Sequence, residues 1–206
     1  MAAPKLTGRH ACGPALESGD VLTRDEFERR YSQRHDIKKA ELIQGVVYVG
    51  SPVRFEEHAE PDNLLSTWLG MYAIHHPGVR AGNNGTVRLS EDDVPQPDSM
   101  MWYEAGQSAI DADHYLGGAP ELAVEVAAST ANIALNRKKE SYRRARVQEY
   151  VVWLTEDERF LWFRLRDGEY GELAPGADGF IESEVFPGLR LHPARLLAGD
   201  RTAILG

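Results

Sequence analysis

The segment ELAVEVA, residues 121–127, constrains the fold more than any other part of the chain. Strict alternation is the period of a β-strand. It places Leu122, Val124 and Val126 on one face and Glu121, Ala123, Glu125 and Ala127 on the other. The segment reads as a central strand. Glu125 then sits mid-strand between apolar neighbours, where a carboxylate is expensive to bury unless a cation, a metal or hydrogen bonds compensate it. The alanines beside it leave room for such a partner to approach.

Elements on either side can be read from the same kind of signal. Thr23 and Glu26 form a capping box, which starts a helix running to about Arg34. KKAELIQGVVYVG alternates on both sides of Gln44-Gly45 and reads as two strands around a tight turn. Leu65, Trp68, Leu69 and Tyr72 share one helical face within a helix from about Glu56 to His75, stopped by Pro77-Gly78. A short strand is expected at Thr86–Leu89 and another at SMMWY, residues 99–103, with Glu104–Ala119 as loop. A helix is expected from about Asn136 to Ala145. EYVVWLT, RFLWFRL and GEYGEL follow as strands, then FPGLRL and a closing helix near Ala194–Leu197. This order is not a regular βαβ repeat. It describes an α/β (α+β) domain, a mixed β-sheet with helices packed on it.

At 206 residues with 42% hydrophobic composition, the chain can bury a core without disulfides. Residues 1–20 read as a mobile or loosely docked arm, 21–200 as the domain and 201–206 as a tail. Cys12 is the only cysteine, which precludes an intrachain disulfide and fits the reducing cytoplasm. No stretch reaches the roughly 18–20 apolar residues of a membrane span, and residues 1–20 lack the apolar core of a signal peptide. There is no G-x-G-x-x-G or P-loop phosphate cradle, no G-x-S-x-G elbow and no Cys/His spacing for zinc. Glu91, Asp92 and Asp93 read as a solvated loop. His75-His76 reads as a cationic end to its helix.

Asp98 follows Pro97 where a loop enters SMMWY. If that strand pairs with residues 121–127, Asp98 and Glu125 converge. Two carboxylates that close repel, and a divalent cation relieves the repulsion; Mg²⁺ takes one or two carboxylates with water and phosphate. RKKESYRRAR, residues 137–146, has six basic residues and one acidic, a local patch hidden by the net charge of −9. Lys138, Tyr142 and Ala145 share one face and point toward the sheet. Lys139, Arg143 and Arg146 form an outer stripe able to touch a nucleic-acid backbone.

Pro97-Asp98, then Glu125, then a lysine resembles the PD-(D/E)xK nuclease superfamily. More narrowly, the chain is similar to the Uma-two family of restriction-endonuclease-like proteins. KKAELIQGVVYVGSPV, NNGTVRL, PQPDSMMWY, PELAVEVA and KKESYRRARVQEYVVW carry the resemblance, with FPGL at 186–189, over roughly Val21 to Asp200. The resemblance implies a restriction-endonuclease-like core and metal-assisted hydrolysis of phosphodiesters, with DNA as the partner and Mg²⁺ (or Mn²⁺) as cofactor. Asp98 and Glu125 would be metal ligands, with Glu41 at the same site. Lys138 would be the superfamily lysine, moved off the strand, since a strict E-x-K pattern needs it where Ala127 stands. His58 matches a histidine of the family without a firm role. Two positions depart from the family: an aspartate is common where this chain has Ala134, and a glycine where it has Arg146.

Two other functions stay open at this level. One is a nuclease fold kept only for binding, its site decayed at Ala134. The other is a hydrolase using Asp98 and Glu125 as an acid/base pair, as glycosidases do. EYVVWLT and RFLWFRL, taken as edge strands, offer a way to pair two copies into a homodimer.

Overall fold

The computed structural model describes residues 14–128 and 130–205, so Cys12 and most of the expected arm lie outside the described residues. The chain forms α1 (Arg24–Tyr31), β1 (Ala40–Ile43), β2 (Val46–Val49), α2 (Glu60–His75), β3 (Val79–Asn83), β4 (Val87–Arg88), β5 (Ser99–Tyr103), β6 (Ala109–Ile110) and β7 (Leu116–Gly117). It continues as β8 (Leu122–Ala127), α3 (Lys139–Arg144), β9 (Glu149–Leu154), β10 (Arg159–Arg166), β11 (Glu169–Glu172), β12 (Ile181–Glu182), β13 (Arg190–Leu191) and α4 (Pro193–Leu197). Both α2 and α3 are entered through a π-helical turn, Phe55–Ala59 and Ile133–Lys138 respectively. Such turns re-aim side chains and recur at functional sites.

The main sheet has six strands in the order β11-β10-β9-β8-β5-β3. β8 and β9 run parallel and the other neighbours antiparallel, so the sheet is mixed. All six residues of β8 are buried. Its Leu122, Val124 and Val126 pack with Leu65, Trp68 and Leu69 of α2. Its Ala123 and Ala127 pack with Tyr142 and Tyr150 on the opposite face. The strand is thus sandwiched between α2 and α3, as its alternation requires. β5 pairs with β8 in the register Ser99↔Val124, which brings Asp98 beside β8.

The hairpin β1–β2 closes through Gln44 and Gly45, both with positive φ (53° and 73°), the signature of a type I′ turn. α1 begins at the Thr23 cap and stops at Tyr31, short of Arg34.

Several expectations change. VRAGN forms β3, although it has no apolar alternation. It is an edge strand, half exposed, held by pairing with β5 rather than by its own pattern. The segment 104–119 is not all loop, because β6 and β7 join β4 in a small three-stranded sheet. EYVVWLT and RFLWFRL are internal strands; the sheet edges are β3 and β11. Strand addition between two copies would have to use those. Both ends of the described chain are docked. Leu16 is buried, and Gly19 and Asp20 bond the backbone of Val47. Ala203 and Ile204 enter the core from a 3-10 turn at Arg201–Ile204. His76 does end α2, its ring stacked on Tyr72. No helix of the described residues is long and apolar enough to cross a membrane.

Candidate active site

Four charged side chains from four segments meet at the α3 side of β8 and are nearly inaccessible. Asp98, Glu125, Lys138 and Glu41 are 2%, 4%, 6% and 8% exposed. The Lys138 ammonium lies 2.9 Å from each oxygen of Glu125 and 2.7 Å from Oε1 of Glu41. Those three acceptors match the three donors of an ammonium group. The Tyr142 hydroxyl, one turn along α3, donates to Glu125 Oε1 at 2.8 Å. The Gln96 amide donates to Glu41 Oε1 at 2.7 Å, which fixes the hairpin to the strand-entry loop.

Asp98 lies at the edge of this group and is bound differently. Its Oδ2 accepts from the Val126 amide at 2.9 Å. The His58 Nε2, from the π turn before α2, is 3.4 Å from the same oxygen. The Lys39 ammonium is 2.9 Å from Oδ1.

These contacts set the protonation of each group. Burial raises the Glu125 carboxyl above its usual range, Asp98 and Glu41 push the same way, and Lys138 opposes them. Burial works against the Lys138 charge but is outweighed by Glu125, Glu41 and Asp98, so the lysine is held firmly protonated. Burial would also raise Asp98; the His58 hydrogen bond and the charges of Lys39 and Lys138 overcome it and hold the carboxyl well below normal. The His58 imidazole is raised by its bond to Asp98. The cluster therefore keeps Asp98 ionised and Lys138 charged, while burial brings Glu125 nearer to protonation than an exposed carboxylate.

A family, Uma2, described as "Putative restriction endonuclease", matches residues 24–194. The chain belongs to the Uma2 family. No curated protein matches it. Among solved structures it is similar to the "crystal structure of a putative nuclease belonging to DUF820 from Anabaena variabilis ATCC 29413". That likeness has 14% identity, covers 77% of this chain and 89% of the other, and gives a TM-score of 0.59. It shows that the Uma2 chain shares that protein's fold.

Set on this fold, Glu41, Asp98, Glu125 and Lys138 of the Uma2 chain come together, and His58 joins them. Among the described residues no three His, Cys, Asp or Glu side chains stand as a ready metal-holding group. The outer stripe is less free than its spacing suggested. Arg143 pairs with Glu140 and Glu169, and Lys139 lies 3.5 Å from the Phe163 ring centre. Arg146 is exposed. It also ends α3: its amide bonds Arg143 O, Val147 bonds Tyr142 O, and its φ is 65°. That is a Schellman ending, and its left-handed residue is normally glycine. Ala134 is buried in the π turn, where its carbonyl accepts from the Tyr150 hydroxyl.

Asp93 overturns its solvated-loop reading. It is buried and accepts from the Gln44 amide, the Ser141 hydroxyl and Arg144, tying the hairpin turn to α3. Lys39, on Asp98, is a residue of the candidate site that sequence reasoning missed. The signal was present, since Lys39 and Glu41 are two apart at the start of β1 and so share a face.

Proposed function

We propose that this Uma2 chain is a metal-dependent endonuclease that hydrolyses phosphodiester bonds, with DNA as its substrate. The observation that carries the reading is the meeting of Asp98, at the entry to β5, with Glu125 of β8, and Lys138 seated on Glu125. The description of the family supports the same chemistry.

The donor set fits a hard divalent cation. Three buried carboxylates converge here, and all of their donors are the oxygens that such a cation takes. Asp98 and Glu125 would hold Mg²⁺ or Mn²⁺, with Glu41 beside them. When bound, such an ion polarises the phosphate and lowers the pKa of a water. Lys138 holds Glu125 and Glu41 in place and supplies fixed positive potential where phosphate charge develops. Arg146 and Lys139 are the members of the outer stripe we assign to backbone contact, with Arg143 committed to its acidic neighbours. A homodimer would suit cleavage of both strands of a duplex.

One observation favours a second reading. Both oxygens of Asp98 and of Glu125 are already engaged by protein donors. A nuclease fold retained only to bind nucleic acid or protein would show the same pairing. Cleavage of plasmid and single-stranded DNA with Mg²⁺ or Mn²⁺ separates the two. Metal-dependent cleavage that is lost in folded Asp98→Asn and Glu125→Gln supports the endonuclease. No cleavage, with no metal bound by calorimetry, overturns it in favour of the binding module.

A further inference from the structure

The two lysines of the cluster are not equivalent. Lys138 is saturated by Glu125 and Glu41, and its side chain is 7% exposed. Lys39 touches Asp98 from the rim, with its side chain 29% exposed and a single weaker second acceptor, Asn84 Oδ1 at 3.5 Å. Its backbone is pinned separately, the Lys39 carbonyl accepting from the Gly50 amide at 2.8 Å. The ammonium can therefore swing away without disturbing the hairpin. Lys138 cannot move without stranding two buried carboxylates.

Charge balance says when it would swing. Glu41, Asp98 and Glu125 bring three negative charges, Lys39 and Lys138 bring two positive ones, and His58, 3.4 Å from Asp98, brings a third when protonated. A divalent cation entering beside Lys39 would leave the cluster net positive and place two cations on one carboxylate. With Lys39 withdrawn, the metal-loaded cluster sheds one excess positive charge. The freed ammonium is then matched by the single negative charge of a phosphodiester.

We propose that Lys39 is a displaceable counter-ion that neutralises Asp98 in the metal-free protein, yields Asp98 to an entering divalent cation, and then contacts the substrate phosphate. The inference rests on the metal-dependent reading above, and it adds a residue that moves between two partners.

The test uses the full chain and Lys39→Met, with Lys39→Gln as a variant that can still hydrogen-bond Asp98 without charge. Mn²⁺ binding is measured by calorimetry without DNA, alongside thermal melts with and without Mn²⁺. Lys39→Met is expected to bind Mn²⁺ about ten-fold or more tighter, the scale of removing one nearby unit charge. It should melt lower than the native chain without metal and gain more from Mn²⁺. At saturating Mn²⁺ its cleavage should slow by about ten-fold or more, as for a lost phosphate contact. Unchanged or weaker Mn²⁺ binding in both variants overturns the proposal. If the native chain binds Mn²⁺ and cleaves while the variants bind no tighter, the displacement idea alone fails. If no form binds metal, the endonuclease reading fails with it.

Discussion

Replacing Lys138 with alanine removes the one cation that, among the described residues, touches Glu125, and it strips Glu41 of the same partner. Both carboxylates are more than nine-tenths buried, so water does not substitute freely. Breaking a buried ion pair from one side costs about 3–5 kcal/mol, because the remaining charge is stranded. Domains of this kind are stable by only about 5–15 kcal/mol, so the variant should be close to unfolding. In a chain of this length the loss corresponds to a melting temperature lower by roughly 6–20 °C. Urea unfolding followed by tryptophan fluorescence measures it, since Trp68 and Trp162 are in the core that unfolds. The pH dependence is a second signature. Without Lys138 the folded state binds a proton at Glu125 more tightly than the unfolded chain does. Stability then falls as pH rises, and the deficit against the native chain is larger at pH 8 than at pH 5. Adding Glu125→Gln to Lys138→Ala should recover a large part of the loss. A cost below about 1 kcal/mol, the scale of an exposed ion pair, would refute the buried-cluster reasoning.

Tyr142→Phe removes a buried hydroxyl bonded to Glu125 and should cost about 1.5–3 kcal/mol in urea unfolding, the range for hydrogen bonds to charged groups. Asp93→Ala unpairs the Gln44 amide, Ser141 and Arg144 at once and should cost about 2–3 kcal/mol, read by the same unfolding curve. Arg146→Gly relieves a left-handed residue at the end of α3 and should raise stability by about 1 kcal/mol, measured by thermal melting. Asp98 titrates lower in the folded chain than its ordinary 3.8, so its contribution is present above that pH and is lost as the pH falls through the folded value. Asp98→Asn should therefore be most destabilised near neutral pH, and the gap from the native chain should narrow below pH 3.8 in melts run across pH.

The sequence by itself determined which way the site residues face. Alternation through 121–127 put Glu125 on the alanine face, and the structure places that face against α3. Helical spacing put Lys138 and Tyr142 on one side, and both reach Glu125. The tight turn at Gln44-Gly45 was legible from the alternation on both sides of it; the left-handed backbone of Gln44, a residue that such a turn does not favour, was not. Ordered motifs also carried the family, which the match over 24–194 bears out. Such features are local: they follow from periods of 2 and 3.6 residues and from turn chemistry. Only the tertiary structure decided which faces meet. Lys39 reaches Asp98 across 59 residues of sequence and Asp93 reaches Ser141 across 48, distances at which no periodicity correlates two side chains. The same holds for β3, which owes its existence to β5, and for β9 and β10, whose place inside the sheet depends on β8 and β11 flanking them. Pairing of that kind is settled by burying whole surfaces at once, and a chain read residue by residue does not contain it.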